Sequence, residues 1–312
     1  MCPTRTDPDP GLGFRHEATF YDGGANFVSA TAPFIREGLA ADERILAVLT
    51  PGKIGALQAE LGPQAGDVTF ADMAEIGRNP ARIIPAWQDF LVEADGAEVR
   101  GIGEPIWADR SPDALLEAER HEALLNVAFD GGRPWRLLCP YDEQTLAAGT
   151  LRRARRNHPI LHDHATTTAS TTYPGVEALG SATGEPLSAA PSDVASIAFA
   201  GKALGDVRTF AGSFADTHGF RRRSGDVRLV AQELSSNSVR HGGGRGTLRI
   251  WTQDHSLVVE VRSGNQIVDP LAGRRRPAGD VGGYGLWIVN QTADLMQIRN
   301  DALGSTVRAH FV

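Results

Sequence analysis

Only two cysteines, Cys2 and Cys139, occur in the 312 residues. They are too few for a disulfide framework and lack the spacing of a zinc site. No apolar run approaches the roughly eighteen residues of a membrane span. The N-terminus, MCPTRTDPDPG, has proline and aspartate where a secretory signal needs an apolar stretch. These absences predict a cytoplasmic protein with no membrane partner. A phosphate-binding GxxxxGK[ST] motif is also missing; Pro51-Gly52-Lys53 is only a fragment of one, and Lys53 reads as a surface helix residue. The net charge of −7 is uneven: residues 1–190 carry 16 basic and 27 acidic side chains (−11), residues 191–312 carry 15 and 11 (+4). The asymmetry suggests two units with different partners. The short runs Arg221-Arg222-Arg223 and Arg274-Arg275-Arg276 read as solvated loops or as contacts to an acidic partner or phosphate. Neither makes the concentrated stripe that direct DNA binding would require.

The chain is long enough for two domains, each with its own core. The stretch ATTTASTTYPGVEALGSATGEPLSAAPS is rich in Thr, Ser, Ala, Gly and Pro and shows no apolar periodicity, so it reads as a linker. The expected division is 14–156, a linker over 157–191, and 192–312. Before the linker, apolar runs such as ATFYD and ILAVLT alternate with helical patterns. Among these are one helix running past Pro80 and Pro85 to Val92, another over Pro112 to Phe129, and a closing helix from Tyr141 onward. That alternation predicts an α/β domain on a mainly parallel sheet. After it, helices at about 203–217 and 224–241 precede the adjacent strands TLRIWTQ and SLVVEVR, a Gly-rich loop, a helix near 284–293 and a last strand pair around Gly304. This order predicts an α+β sandwich of two layers.

Chemistry concentrates in the second domain. In LVAQELSSNSVRHGG, Glu233, Asn237 and His241 recur every four residues and so stack on one helical face. A carboxylate, an amide and an imidazole in a row suit a metal–phosphate site, or are simply an exposed polar face. GDVGGYGLWIVN places Gly279, Gly282, Gly283 and Gly285 directly before an apolar helix, where backbone N–H groups can approach phosphate. Gly304-Ser305-Thr306 follows in the last hairpin.

In this order the three segments resemble the N, G2 and G3 boxes of the GHKL ATPases, whose Bergerat-type fold is an α+β two-layer domain. ELxxNxxRHG followed by GGxGLWIVNQ is most similar to the anti-sigma-factor serine kinase branch. The resemblance covers essentially the whole second domain. It implies Glu233 as general base or water-orienting carboxylate, and Asn237 as the residue holding Mg2+ through the phosphates. His241, Gly283, Gly285, Leu286 and Thr306 would lie around the phosphates. The family's G1 box supplies an Asp that accepts the adenine amino group, but here Ser263 stands at that position and Asn265 at a usual glycine. Replacing the carboxylate by a hydroxyl should cost about 1.5–3 kcal/mol, ten- to a hundredfold in affinity. Binding of ATP and Mg2+ is therefore expected to be weak or lost, and kinase activity with it. No phosphoacceptor-histidine helix of a sensor kinase stands upstream; NHPILHDH (157–164) reads as linker, against a phosphoacceptor or metal site.

The first domain resembles the MEDS sensory domain, a P-loop-related α/β fold. The resemblance rests on FRHEATFY, PFIREGLAADERILAV, GEPIW, and RHEALLN followed by LLCPYD. Candidate signal-reading residues at strand ends, where open α/β sheets place ligands, are His16, Tyr21, Glu104, Trp107, Glu122, Cys139 and Tyr141. His16, Cys139 and a carboxylate could gather around a metal or react with an oxidant; alternatively the aromatics pack the sheet edge and Cys139 is a buried small residue. Together the two resemblances imply an anti-sigma regulator of the RsbA-like type, acting in stress-responsive transcription. Such a chain would sequester a sigma factor or engage an anti-anti-sigma antagonist, and homodimers are common in the family. An active serine/threonine kinase for that antagonist, and a ligand-binding sensor with a degenerate ATPase domain, are the alternatives.

Overall fold

The computed structural model describes residues 13–163, 166–181, 185–201, 203–277 and 283–312. Cys2, Gly279 and Gly282 lie outside them. The contacts divide the chain into two units, one made of residues 13–77 and 86–181, the other of 78–85 and 185–312.

The first unit alternates as its sequence predicts: β1 (Phe14–Tyr21), α1 (Gly24–Ala40), β2 (Arg44–Leu49), α2 (Pro51–Leu61), β3 (Val68–Asp72), the single turn α3 (Met73–Ile76), α4 (Ile83–Glu93), β4 (Val99–Gly103), α5 (Pro112–Phe129), β5 (Trp135–Asp142) and α6 (Ala148–Asn157). β6 (Ile160–Asp163), β7 (Thr166–Ala169) and α7 (Val176–Ser181) complete it. The sheet order is β3-β2-β4-β5-β1-β6-β7, parallel except where β7 runs against β6. β4 is buried along its whole length and β2 from Ile45 onward, the mark of a parallel sheet covered on both faces. α5 starts where Pro112 occupies the first turn and Ser111 Oγ accepts from the Ala114 N–H, a proline-plus-cap signal.

Three expectations are corrected. The helix drawn through Pro80 to Val92 is broken, because a residue before proline is pushed out of the helical region: Asn79 is extended (φ −99°, ψ 107°) and its Oδ1 caps a short 3-10 turn over Pro80–Arg82. The helix expected from Tyr141 begins only at Ala148, because β5 continues to Asp142. The segment 157–191 is not a uniform linker either. Ile160–Asp163 pairs in parallel with β1, and Thr166–Ala169 with β6. Thr-rich strands at a sheet edge need no apolar alternation, since one face can stay in water.

The second unit follows as β8 (Ala195–Ala200), α8 (Leu204–Thr217), α9 (Ser224–His241), β9 (Arg245–Gln253), β10 (Ser256–Ser263), α10 (Tyr284–Thr292), β11 (Leu295–Asp301) and β12 (Gly304–Phe311). Its five strands are all antiparallel, in the order β11-β12-β10-β9-β8. Asp254 and His255 both take positive φ (46° and 63°), the two-residue turn whose twist matches a hairpin. The three helices and one sheet face bury Val207, Val230, Leu234, Ile250, Val259 and Phe311. The other sheet face mixes buried Trp251 and Val258 with charge: Glu260, 2% exposed, is held between Arg249 and Arg308, and Arg308 also donates to Ser188. Segment 78–85 belongs to this unit through Asn79, whose Nδ2 donates to Asn290 Oδ1 at 2.8 Å. The chain is thus an α/β unit on a parallel-rich sheet plus a two-layer α+β unit on an antiparallel one.

Candidate functional site

One turn of α9 separates Glu233 from Asn237 and another separates Asn237 from His241, so the row predicted from spacing exists. The row forms one wall of a cavity of about 540 Å³. The end of β10 and the following loop, from Ser263 to Asp269, form a second wall, and Gly283 to Leu286 at the start of α10 a third. Gly283 has φ +85° at the helix N-cap, a left-handed conformation that glycine adopts without strain. Gly285 matters for a different reason: a Cβ there would stand 2.6 Å from Asn237 Nδ2 and would have to displace that amide. The helix start therefore lies directly on the amide at the centre of the row. Next to Ser263, a Cβ on Gly304 (φ +135°) would stand 1.9 Å from the Ser263 carbonyl oxygen, so the β10–β12 junction closes only around glycine.

Glu233, Asn237, His241, Ser263, Asn265, Gly283, Gly285 and Leu286 all line the cavity. Thr306 does not. Strand alternation turns Ser305 and Val307 inward, while Thr306 Oγ1 lies 3.5 Å from Arg262 Nη1. Asp269, Tyr284, Gln266 and Ile267 also line the cavity and were not foreseen. A dipeptide such as Asp269-Pro270 reads as an ordinary turn, and nothing in its local pattern marks a cavity wall.

The two ends of the cavity differ in chemistry. Asn237 and the glycine-rich start of α10 are suited to phosphates and Mg2+. At the other end, position 263 offers a hydroxyl instead of a carboxylate. Asn265 is engaged with its own chain, donating from Nδ2 to the His241 carbonyl at 2.7 Å. Asp269 accepts from the Leu271 N–H at 2.9 Å and pairs with Arg275. The carboxylate on this wall is therefore Asp269, six residues beyond Ser263.

The candidates of the first unit separate into two groups, because successive β1 side chains point to opposite faces. Tyr21 and Glu104 meet on one face. The Tyr21 hydroxyl donates to Glu104 Oε1 (2.7 Å), and Lys53 Nζ reaches both Glu104 oxygens and the Tyr21 oxygen at 2.6 Å. Burial pushes the Glu104 carboxyl above its usual range, against the opposing pull of the Lys53 ammonium. The reading of Lys53 as a plain surface residue is therefore corrected: its charge is held by a carboxylate that is 1% exposed. On the opposite face His16, Glu122 and Cys139 come together, joined by His158. Burial lowers the His16 pKa to about 4, with the neighbouring His158 adding to the effect. Burial and the Glu122 charge push the Cys139 thiol well up. Tyr141 stacks edge-on against His158, ring centroids 5.5 Å apart. Trp107 stands elsewhere, under the Arg110 guanidinium at 4.0 Å.

His158 belongs to the NHPILHDH segment that reads as linker, and the structure overturns that reading. The residue follows α6 and its Nδ1 lies 2.8 Å from the Ala154 carbonyl four residues earlier. A usable signal existed: a histidine at a helix C-terminus, followed by a proline that commits the chain to leave the helix. His162 pairs with the buried Glu17 (2.6 Å).

Comparison with known families gives two matches, one in each half of the chain. Residues 15–159 match the family described as MEDS, methanogen/methylotroph, DcmR sensory domain. Residues 198–311 match the histidine kinase-like ATPase domain. The chain thus joins an N-terminal MEDS domain to a C-terminal histidine kinase-like ATPase domain. No curated protein matches it. Among the described residues no helix is long and apolar enough to cross a membrane.

Proposed function

We propose that this chain is a sensory anti-sigma factor. Its MEDS domain reads a signal, and its ATPase-like domain holds a sigma factor or engages an anti-anti-sigma antagonist, with ATP and Mg2+ bound weakly or not at all. The observation that carries the reading is the adenine-facing wall. Ser263 brings a neutral hydroxyl where related sites use a carboxylate, and the Asn265 amide is tied to His241. A regulator whose partner surface is built by the domain itself can act by binding alone. The test is a pull-down of the full chain with purified sigma factors and antagonist proteins, with and without ATP and Mg2+. Sigma binding independent of nucleotide supports the proposal. Absence of any sigma or antagonist partner contradicts it and favours a ligand-binding sensor with a degenerate ATPase domain.

A second reading, an active serine/threonine kinase acting on the antagonist, is favoured by Glu233 and Asn237 sharing one wall and by Gly285 lying against the Asn237 amide. Incubation with labelled ATP, Mg2+ and the antagonist separates the two. Transfer that disappears in Glu233→Ala supports the kinase, and partner binding without transfer supports the anti-sigma factor.

A further inference from the structure

In the parallel register of β1 and β5, His16 lies opposite Leu137 and Ala18 opposite Cys139. His16 and Cys139 therefore project from the same sheet face. Glu122 of α5 and His158 after α6 meet them there, and none of the four is more than 1% exposed. Glu122 Oε2 is 3.3 Å from His16 Nε2 and 3.1 Å from His158 Nε2, and Cys139 Sγ is 3.4 Å from His16 Nε2. All four ligand-type atoms lie within 4.8 Å of one another.

The hydrogen bonds around the cluster decide where the imidazole protons sit. Asn126 Nδ2 donates to the carbonyls of Asn157 (2.8 Å), Glu122 and Ala123. Its Oδ1 is thereby turned to His16 Nδ1 at 3.3 Å. An amide oxygen only accepts, so His16 Nδ1 carries the proton. The same holds for His158, whose Nδ1 faces the Ala154 carbonyl. Each ring then presents an Nε2 lone pair to the interior, toward the Glu122 carboxylate. Neither carboxylate oxygen of Glu122 nor His158 Nε2 completes a hydrogen bond there, although they lie at ion-pair distance. One extra proton, on His158, would pair that ring with Glu122 and leave His16 Nε2 to accept from the Cys139 S–H. Two would place two positive rings, centroids 3.9 Å apart, in the dry interior.

We propose that His16 Nε2, His158 Nε2, Glu122 Oε2 and Cys139 Sγ bind one divalent transition-metal ion of borderline softness, with Zn2+ as the reference. Metal–nitrogen and metal–sulfur bonds of about 2.0–2.3 Å at tetrahedral angles place ligand atoms roughly 3.3–3.7 Å apart. The three short contacts are already near that span, and side-chain rotation closes the remainder. Imidazole and thiolate donors select Zn, Co, Cu or Fe over Mg or Ca. On binding, the Cys139 S–H bond breaks, its proton leaves to solvent and its sulfur electron pair forms the metal–sulfur bond. A 2+ ion with one thiolate, one carboxylate and two neutral imidazoles has no net charge, which suits a sealed site. Asn126 and the Ala154 carbonyl are positioning groups that fix the ring orientation, as outer partners of metal-bound histidines do.

The test uses the full chain, purified without chelator from zinc-supplemented medium, with metal content read by plasma mass spectrometry and the apoprotein then titrated with Co2+. The expected result is about one equivalent of metal per chain, with four-coordinate visible cobalt bands and a thiolate-to-cobalt charge-transfer band. Cys139→Ser should lose the charge-transfer band, and His158→Gln should weaken Co2+ binding at least ~10-fold. A folded wild-type chain that carries no metal and gives no cobalt spectrum overturns the proposal, with protonated imidazole then neutralising Glu122. An unchanged charge-transfer band in Cys139→Ser overturns it as well. Should both variants fail to fold, the wild-type cobalt spectrum still decides.

Discussion

The cavity of the ATPase-like unit and the sealed cluster of the MEDS unit gather similar side chains, a carboxylate, an imidazole and an amide in each, yet their polar atoms end differently. In the cavity, Asn265 and Asp269 are engaged by backbone groups of their own chain, and the row from Glu233 to His241 faces open volume. In the cluster, fully buried oxygen and nitrogen atoms point at one another without completing hydrogen bonds. An open cavity with a row of groups facing solvent suits a partner that comes and goes. A closed group of unsatisfied acceptor atoms suits a resident guest, because unpaired buried polar atoms are costly.

Four substitutions sharpen this contrast, from the largest expected effect to the smallest. Gly304→Ala should destabilise the second unit by about 3 kcal/mol or more, since its Cβ would meet the Ser263 carbonyl and its φ disfavours any side chain. The check is thermal or urea unfolding of the full chain, and a neutral outcome would mean that the β10–β12 junction is not rigid. Asn126→Ala should cost about 2–4 kcal/mol, because it strands His16 Nδ1 and the Asn157 carbonyl in the interior. At the cavity rim, Asn265→Ala removes a single exposed hydrogen bond to His241 and should cost only about 0.5–1.5 kcal/mol. If these two costs came out equal, the distinction between sealed and open sites would be lost.

The fourth is a pH effect with a defined sign. The Glu104 carboxyl is raised by burial in the folded state, so the native state holds its proton longer than the unfolded chain does. Its contribution is fully present below the unfolded value near 4.5 and is lost as pH rises through the folded value. Glu104→Gln cannot titrate, so wild type should lose stability relative to this variant as pH climbs above 4.5. Parallel stability curves for the two proteins would refute that sign.

The sequence made most of the fold legible where apolar period was strong: the alternating first unit, the hairpin around Asp254-His255, and the helices α8, α9 and α10. The row on α9 was readable because spacing alone puts Glu233, Asn237 and His241 on one face. The illegible parts have physical reasons. β7 is four residues of Thr and Ala, held by edge pairing and not by an apolar face. Thr306 was assigned from its motif, but strand alternation turns it away. His158 and Lys53 owe their roles to partners 36 and 51 residues away, Glu122 and Glu104, and no local pattern encodes such contacts. Glu122 and Cys139 were named as candidates one by one; only the register of β1 on β5 assembles them.

The central claim about the second unit is that an ATP-type cavity persists with its adenine end disabled. Calorimetric titration of ATP and Mg2+ into the full wild-type chain, beside Ser263→Asp, tests it most directly. The account predicts weak binding to wild type and a gain of about ten- to a hundredfold in the variant, the equivalent of roughly 1.5–3 kcal/mol for a charged hydrogen bond. A micromolar dissociation constant for wild type, with no gain from the carboxylate, would contradict it.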